Sequence, residues 1–318
     1  MHRPLVSIVT PTMNRRDLLE WTLRSVRSQT YGDLEHIVVD GGSTDGTLEL
    51  LAEFEGSYPL RWISEPDSGM NNAIKKGFGL ANGNILAYLN SDDQYFPWTV
   101  EVAMDAFQRY ALIDAVFGDA VRLDEVRGEL LPLFTRPFDP RMTAAHGSLV
   151  QPAVFFRRRL YADIGPFDES LRYVADLDYW LRASRGHRMQ HVEEFLAVDR
   201  VHEGALSQER WQEMADEDRR MRRGHAASLG LPYGTAVLSR LRSALWRRPQ
   251  WVRFVRATRT GPTPARSWQH LIAATHPRVS SHGAILALAP RTGWHHMADI
   301  GWEYGPVSAA LGDASPLG

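Results

Sequence analysis

Between Leu5 and Asp93 the chain alternates short apolar runs with segments of helical period. Leu5 to Thr10, Glu35 to Val39, Leu60 to Ile63 and Ile85 to Leu89 read as strands. Between the first two, Leu18, Leu19, Thr22, Leu23 and Val26 recur at helical spacing, with charged residues among them. A second helix runs to about Phe54, where Ser43 or Asp45 can cap its start, and a third spans about Asn71 to Leu80. Alternation of this kind builds a parallel sheet with helices on both faces.

The ends of the strands carry the chemistry. The run Ile85 to Leu89 has β-branched and aromatic members, as a buried central strand does, and stops at Asn90-Ser91-Asp92-Asp93. Open α/β sheets bind ligands outside the carboxyl ends of their strands. Asp40, Asp67 and the Asp92-Asp93 pair therefore gather along one sheet edge. Paired carboxylates are hard oxygen donors suited to Mg²⁺ or Mn²⁺ holding phosphate oxygens, or else a solvated Asx turn. A nucleotide matches the first alternative: its imide N–H and ribose hydroxyls are donors for carboxylates, and its diphosphate needs a cation. No Gly-x-Gly-x-x-Gly follows the first strand and no Gly-Lys-Ser/Thr loop is present, so neither phosphate-cradling fingerprint applies.

Composition closes off other chemistries. The absence of cysteine excludes disulfides, thiolate catalysis and Cys-ligated zinc. A net charge of −2 gives no overall pull towards nucleic acid or a membrane. No apolar run reaches membrane-spanning length, and Leu5 to Val9 is too short for a signal peptide, so a cytoplasmic protein is expected. The length of 318 residues suits about two domains, or one α/β unit with an extension.

Further on, a helix follows Pro97 to about Tyr110, Ala115 to Gly118 is a strand, and Val121 to Phe134 reads as a hairpin turning near Arg127-Gly128. His146 to Arg157 reads as a strand and Leu160 to Ile164 as a helical turn. In Tyr173 to Arg182, Asp176 falls in the first turn of a helix whose Leu177, Trp180 and Leu181 face inward. The helix dipole favours a carboxylate there, whether as a base or only as an N-cap. Asp178 is the second candidate, but at about 100° per residue the two point well apart. His202 follows another short strand, as a metal ligand or a structural residue.

In order and approximate spacing, these segments resemble the family-2 glycosyltransferases of the GT-A fold. The matching pieces are Val6-Ser-Ile-Val-Thr-Pro-Thr-Met-Asn14, Val38-Val-Asp-Gly-Gly-Ser-Thr-Asp-Gly-Thr47, Ser64-Glu-Pro-Asp-Ser-Gly69, Leu89-Asn-Ser-Asp-Asp93, Phe155-Phe-Arg157, Ile164-Gly-Pro-Phe-Asp-Glu169 and Ala175-Asp-Leu-Asp-Tyr-Trp-Leu-Arg182. The likeness runs from about Pro4 to Ser207. It implies a mixed sheet with helices on both faces in a catalytic domain over residues 1–230; the residues beyond, 231–318, read as a mainly helical extension. Thr10, Pro11 and Asn14 would line the nucleotide pocket, Asp40 would accept from the base beside Ser43, and Asp67 and Gly69 would shape the floor. Asp92 would contact ribose or metal, Asp93 would ligate Mn²⁺ or Mg²⁺, His202 would be a further ligand, and Asp176 the general base. The implied reaction is an inverting transfer from a nucleoside-diphosphate sugar, UDP- or dTDP-linked before GDP-linked, to a glycan or lipid-linked acceptor. The sequence departs from the family where Asn72 and Lys75 replace an acidic residue and an asparagine, and where Ala175 precedes the base. Lys75 and Lys76, the only lysines, either touch phosphate or sit on an exposed helix face.

Beyond Leu231 the likeness fades. Residues 236–256 combine arginines and tryptophans at helical spacing, suited to the inner face of an anionic membrane or to packing on the catalytic domain. His295-His296 is a metal-binding or exposed pair. Two other functions stand beside transfer: a non-catalytic nucleotide-sugar or glycan-binding module, and a nucleotidyltransferase. The latter wants a Gly-rich basic loop that Pro11-Thr-Met-Asn14 is not.

Overall fold

The computed structural model describes residues 3–126, 129–135, 137–140, 143–144, 149–205 and 210–228. The expected extension over 231–318, with its 236–256 segment and His295-His296, lies outside the described residues, as do Arg127-Gly128 and the His146 end of the expected strand.

The first third folds as the alternation dictates. Strands β1 (Val6–Thr12), β2 (Leu34–Asp40), β3 (Leu60–Ser64) and β4 (Ile85–Tyr88) alternate with helices α1 (Arg16–Arg27), α2 (Thr47–Phe54) and α3 (Met70–Leu80). All pairings among these strands are parallel, with Thr12 beside Asp40, Asp40 beside Ser64 and Val9 beside Tyr88. Their carboxyl ends therefore open on the same edge. Strand β5 (Gln94–Tyr95), helix α4 (Thr99–Arg109) and the hairpin of β6 (Ala115–Asp124) and β7 (Glu129–Leu133) follow. Next come β8 (Val154–Arg157), α5 (Arg158–Ile164), α6 (Ala175–Ala183), β9 (Met189–Val201) and α7 (Trp211–Ser228).

The strands form one sheet in the order β3-β2-β1-β4-β8-β6-β9-β5, with β7 hydrogen-bonded to β6. It is mixed: β8 runs antiparallel to both β4 and β6, while β6 and β9 are parallel. The hairpin turns as expected, since Asp124 pairs with Glu129. Two sequence expectations are corrected. The described part of the strand expected to end at Arg157 begins with a 3₁₀ turn over Gln151–Ala153, because Pro152 lacks the N–H a central ladder needs. The short strand expected before Arg200 is 13 residues long.

Side chains on β1 alternate between two apolar clusters. Val6 and Ile8 join Val26 of α1 and Val100 and Ala103 of α4 on one face. Val9 joins Ala73, Ile74 and Phe78 of α3 and Tyr179 and Trp180 of α6 on the other. A third cluster seats Leu19 and Leu23 of α1 against Leu50, Leu51 and Phe54 of α2 over Val38. The period-3.6 stripe of each helix thus meets the period-2 face of a strand. Close approach is needed at Gly77, where a Cβ would stand 2.3 Å from Cγ1 of Val9.

Candidate active site

The turn after β1 is built by Asn14, which has φ 51, the one positive φ outside glycine among the described residues. Asparagine tolerates this conformation better than most residues. Its N–H donates to Ser43 Oγ at 2.7 Å, and its Oδ1 accepts the N–H of Thr44 at 2.8 Å. Asp45 accepts the N–H of Arg16 at 3.0 Å and that of Thr47 at 3.1 Å, satisfying a first-turn donor of both α1 and α2. The loops after β1 and β2 are thereby one unit. Asp40 anchors it from below, fully buried, accepting from the N–H of Gly42 (3.0 Å) and Ser43 (2.9 Å) and from the hydroxyls of Ser64 (2.6 Å) and Ser43. These four donors match the roughly four acceptor positions of a carboxylate. In this state Asp40 therefore holds the loop that would carry a base.

Asp67 leans over the same loop: a Cβ on Gly41 would lie 2.9 Å from Asp67 Oδ2 and 3.4 Å from the Met13 sulfur. Asp67 also accepts the N–H of Gly69 at 2.8 Å, where a φ of 125 starts α3. Thr10 and Pro11 are buried in β1. Thr10 Oγ1 lies 2.8 Å from Nε2 of His36, whose Nδ1 lies 2.8 Å from the Tyr58 hydroxyl. Burial pushes His36 down to about 3, so the ring is neutral and links the two hydroxyls.

At the end of β4 the two carboxylates part. Asp93 is only 4% exposed; it accepts the N–H of Arg200 on β9 at 3.1 Å and Nδ2 of Asn90 at 3.3 Å. Burial first, then the charges of Asp92 and Asp199, push its carboxyl well above the ordinary range. Asp92 turns the other way, its Oδ2 3.2 Å from His202 Nε2. His202 is thus brought to the acidic pair, but faces Asp92 rather than Asp93.

These groups suit a hard divalent cation. Asp93 is a buried carboxyl whose ionised form added positive charge would favour, and beside it the buried Oδ1 of Asn90 has no hydrogen-bond partner among the described residues. Among the described residues no group of three or more His, Asp or Glu side chains is placed to hold a metal ion by itself. Mg²⁺-type ions commonly take one or two carboxylates and complete their shell with water and substrate phosphate.

Asp176 lies half-buried in the first turn of α6. Burial raises its carboxyl to about 6, against the lowering effect of backbone N–H bonds. Tyr88 ends β4 and is buried. Burial, then Asp176, then Asp93 hold its phenol well above the ordinary value, so both carboxylates bear on one side chain. Asp178 is a different kind of group. It bonds Arg182 at 2.7 Å and His225 at 2.8 Å, and although burial works against it, these partners lower its carboxyl. It fastens α6 to α7.

Both lysines are paired with acidic side chains: Lys75 with Glu169 at 2.7 Å, and Lys76 with Glu65 at 2.8 Å. Two residues that the sequence did not mark hold these groups or the chain beside them. Arg15 contacts both Asp92 and His202. Glu217 of α7 accepts the N–H groups of Arg172, Tyr173 and Val174, just before Asp176. No motif flags either one, as both lie in stretches rich in charge that read as solvated helix surface.

Comparison with known proteins agrees with this geometry. Residues 7–164 match the sequence model of the glycosyl transferase family 2. An uncharacterised glycosyltransferase of Mycobacterium tuberculosis is 37% identical over 189 residues, covering 57% of this chain and 69% of that protein. Among solved structures, Staphylococcus aureus TarS residues 1–349 in complex with UDP-GlcNAc superposes with a TM-score of 0.59 at 18% identity, over 87% of this chain and 83% of that one. The mannosyltransferase PcManGT of Pyrobaculum calidifontis, in complex with GDP-Man and Mn²⁺, gives 0.51 at 20% identity, over 98% and 81%. The sheet with its carboxyl-edge acidic site is therefore a GT-A fold, and the chain belongs to glycosyl transferase family 2.

Proposed function

We propose that this glycosyltransferase moves a sugar from a nucleoside-diphosphate donor to an acceptor hydroxyl with inversion, Asp176 acting as general base. The observation that supports the reading is the parallel pairing of β2, β1 and β4, whose ends bring Asp40, Asp92 and Asp93 to one edge of the sheet, with Asp176 near enough to Tyr88 at the end of β4 to act on it. A carboxyl near 6 is largely ionised at neutral pH yet more basic than an ordinary aspartate, as a proton acceptor should be.

In this reading the donor's base lies over the loop of Asn14, Gly41 and Ser43, with Asp40 and Asp67 shaping its floor and Thr10 and Pro11 behind it. Asp92 and His202, with Asp93 buried beside them, would hold Mn²⁺ or Mg²⁺, which when bound would neutralise charge on the departing diphosphate. Asp176 accepts the proton of the acceptor hydroxyl as its oxygen attacks the anomeric carbon from the face opposite the diphosphate. Because the attacking oxygen belongs to the acceptor, no covalent sugar–enzyme intermediate forms. The complexes of TarS with UDP-GlcNAc and of PcManGT with GDP-Man and Mn²⁺ support a nucleotide-sugar donor and a divalent ion. A glycan or lipid-linked acceptor is the proposed partner. Among the described residues no helix is long and apolar enough to cross a membrane.

A thermal-shift panel of UDP, dTDP and GDP and their sugars, with and without Mn²⁺, tests this. A ligand that binds the folded state raises its melting temperature by mass action. One nucleotide class should give a Mn²⁺-dependent rise; no rise with any of them contradicts the reading.

A further inference from the structure

The guanidinium of Arg15 stands where the divalent ion is expected. Its Nη1 lies 2.8 Å from His202 Nε2 and 3.6 Å from Asp92 Oδ2, and its Nη2 donates to the Gly204 carbonyl at 3.2 Å. Asp92 Oδ2 and His202 Nε2 are themselves 3.2 Å apart. One arginine nitrogen thus touches both of the side-chain atoms that would face an ion there. The three groups come from the β1–α1 turn, the end of β4 and the end of β9.

The arrangement has a built-in conflict. A neutral imidazole Nε2 carries either a proton or a lone pair, so it donates to Asp92 or accepts from Arg15, never both. A metal ion on Nε2 and Oδ2 would use the lone pair and the carboxylate charge together. It could not share the position with a guanidinium, because like charges a few ångströms apart repel. The arginine is free to leave. Its side chain is 26% exposed, while its backbone is held by the preceding Asn14, which is bonded to Ser43 and Thr44. The head can swing on its flexible stem without disturbing the loop.

Resting on the cation seat of the proposed reading, we propose that Arg15 is a tethered stand-in cation. It holds Asp92 and His202 together before a divalent ion binds, and is displaced when one does. Arg15 therefore weakens binding of the bare ion and leaves a positive side chain at the mouth of the site once it moves aside.

The test is a Mn²⁺ titration of the nucleotide-free protein, by calorimetry or by loss of the free-ion paramagnetic resonance signal, for the wild type, Arg15→Gln, Arg15→Lys and Asp92→Asn. Arg15→Gln should bind Mn²⁺ about tenfold more tightly, the scale of one charge-assisted hydrogen bond. Arg15→Lys, which keeps the charge, should stay near the wild type. Asp92→Asn should bind more weakly than the wild type. Without metal, Arg15→Gln should melt below the wild type, and saturating Mn²⁺ should close that gap. Equal or weaker binding by Arg15→Gln, or equal tightening by the glutamine and lysine variants, overturns the stand-in role while leaving the metal-assisted reading intact. Absence of Mn²⁺ binding by the wild type, with or without a nucleoside diphosphate, overturns both.

Discussion

The carboxylate of Glu217 accepts the backbone N–H of Tyr173 at 2.7 Å, although 44 residues separate the two. The same side chain takes the N–H of Arg172 at 3.0 Å and of Val174 at 3.1 Å. Three successive amides converging on one anion make a nest, here at the start of the helix that carries Asp176. Helix α7 lies beyond the residues matched by the family model and nonetheless holds the segment that leads into Asp176.

Glu217→Ala should therefore cost about 2–4 kcal/mol of stability, since it leaves several amides unsatisfied. It should lower turnover at least about tenfold through misplacement of Asp176. Nucleotide binding, which the proposed reading assigns to the ends of β1, β2 and β4, should be nearly unchanged. Urea unfolding, single-turnover transfer and nucleotide thermal shift check the three parts separately.

Asp176 makes turnover and stability respond oppositely to pH. Its folded value is raised from 3.8 to about 6, so the folded state holds the proton more tightly than the unfolded chain. The stability it contributes is full below about 3.8 and is lost as pH rises through about 6. Activity needs the ionised form and should fall on the acid side of about 6. Asp176→Asn should accordingly melt above the wild type at pH 8, with the difference shrinking towards pH 4. Melting curves across that range check the sign.

His36 should remain neutral where an ordinary histidine titrates. Its value is depressed from 6.5 to about 3, so its contribution to stability is complete above 6.5 and declines as pH falls towards 3. Imidazole resonances followed by NMR from pH 8 to pH 5 should show no titration of His36. A midpoint near 6.5 would mean that the Thr10–His36–Tyr58 chain is open to solvent.

The strand ends were legible in the sequence because local pattern encodes them: apolar runs mark β1 to β4, and the Asp, Asn and Gly residues that end them have few other uses. Asp40, Asp67, Asp92 and Asp93 could be singled out for that reason, Asp176 by its place in the first turn of a helix, and Asn14 through the family resemblance. What the pattern does not encode is pairing over long sequence distances. The insertion of β8 between β4 and β6 depends on which edge each strand finds, and nothing local to Val154–Arg157 states its direction. Nor does the sequence show that Asp92, not Asp93, meets His202, since one residue along an irregular strand end reverses which way a side chain points. Arg15 and Glu217 escaped notice because their partners lie 187 and about 44 residues away. A charged residue on a polar helix looks solvated until its partner is known.

The most direct test of the central claim is transfer and donor binding measured side by side for Asp176→Asn and Asp93→Ala, using whichever nucleotide sugar the thermal-shift panel selects. The account predicts that both variants lose turnover, by about a thousandfold or more for the base. It also predicts that Asp176→Asn keeps Mn²⁺-dependent donor binding while Asp93→Ala loses it. Retained turnover in Asp176→Asn, or unimpaired Mn²⁺-dependent binding in Asp93→Ala, would contradict it.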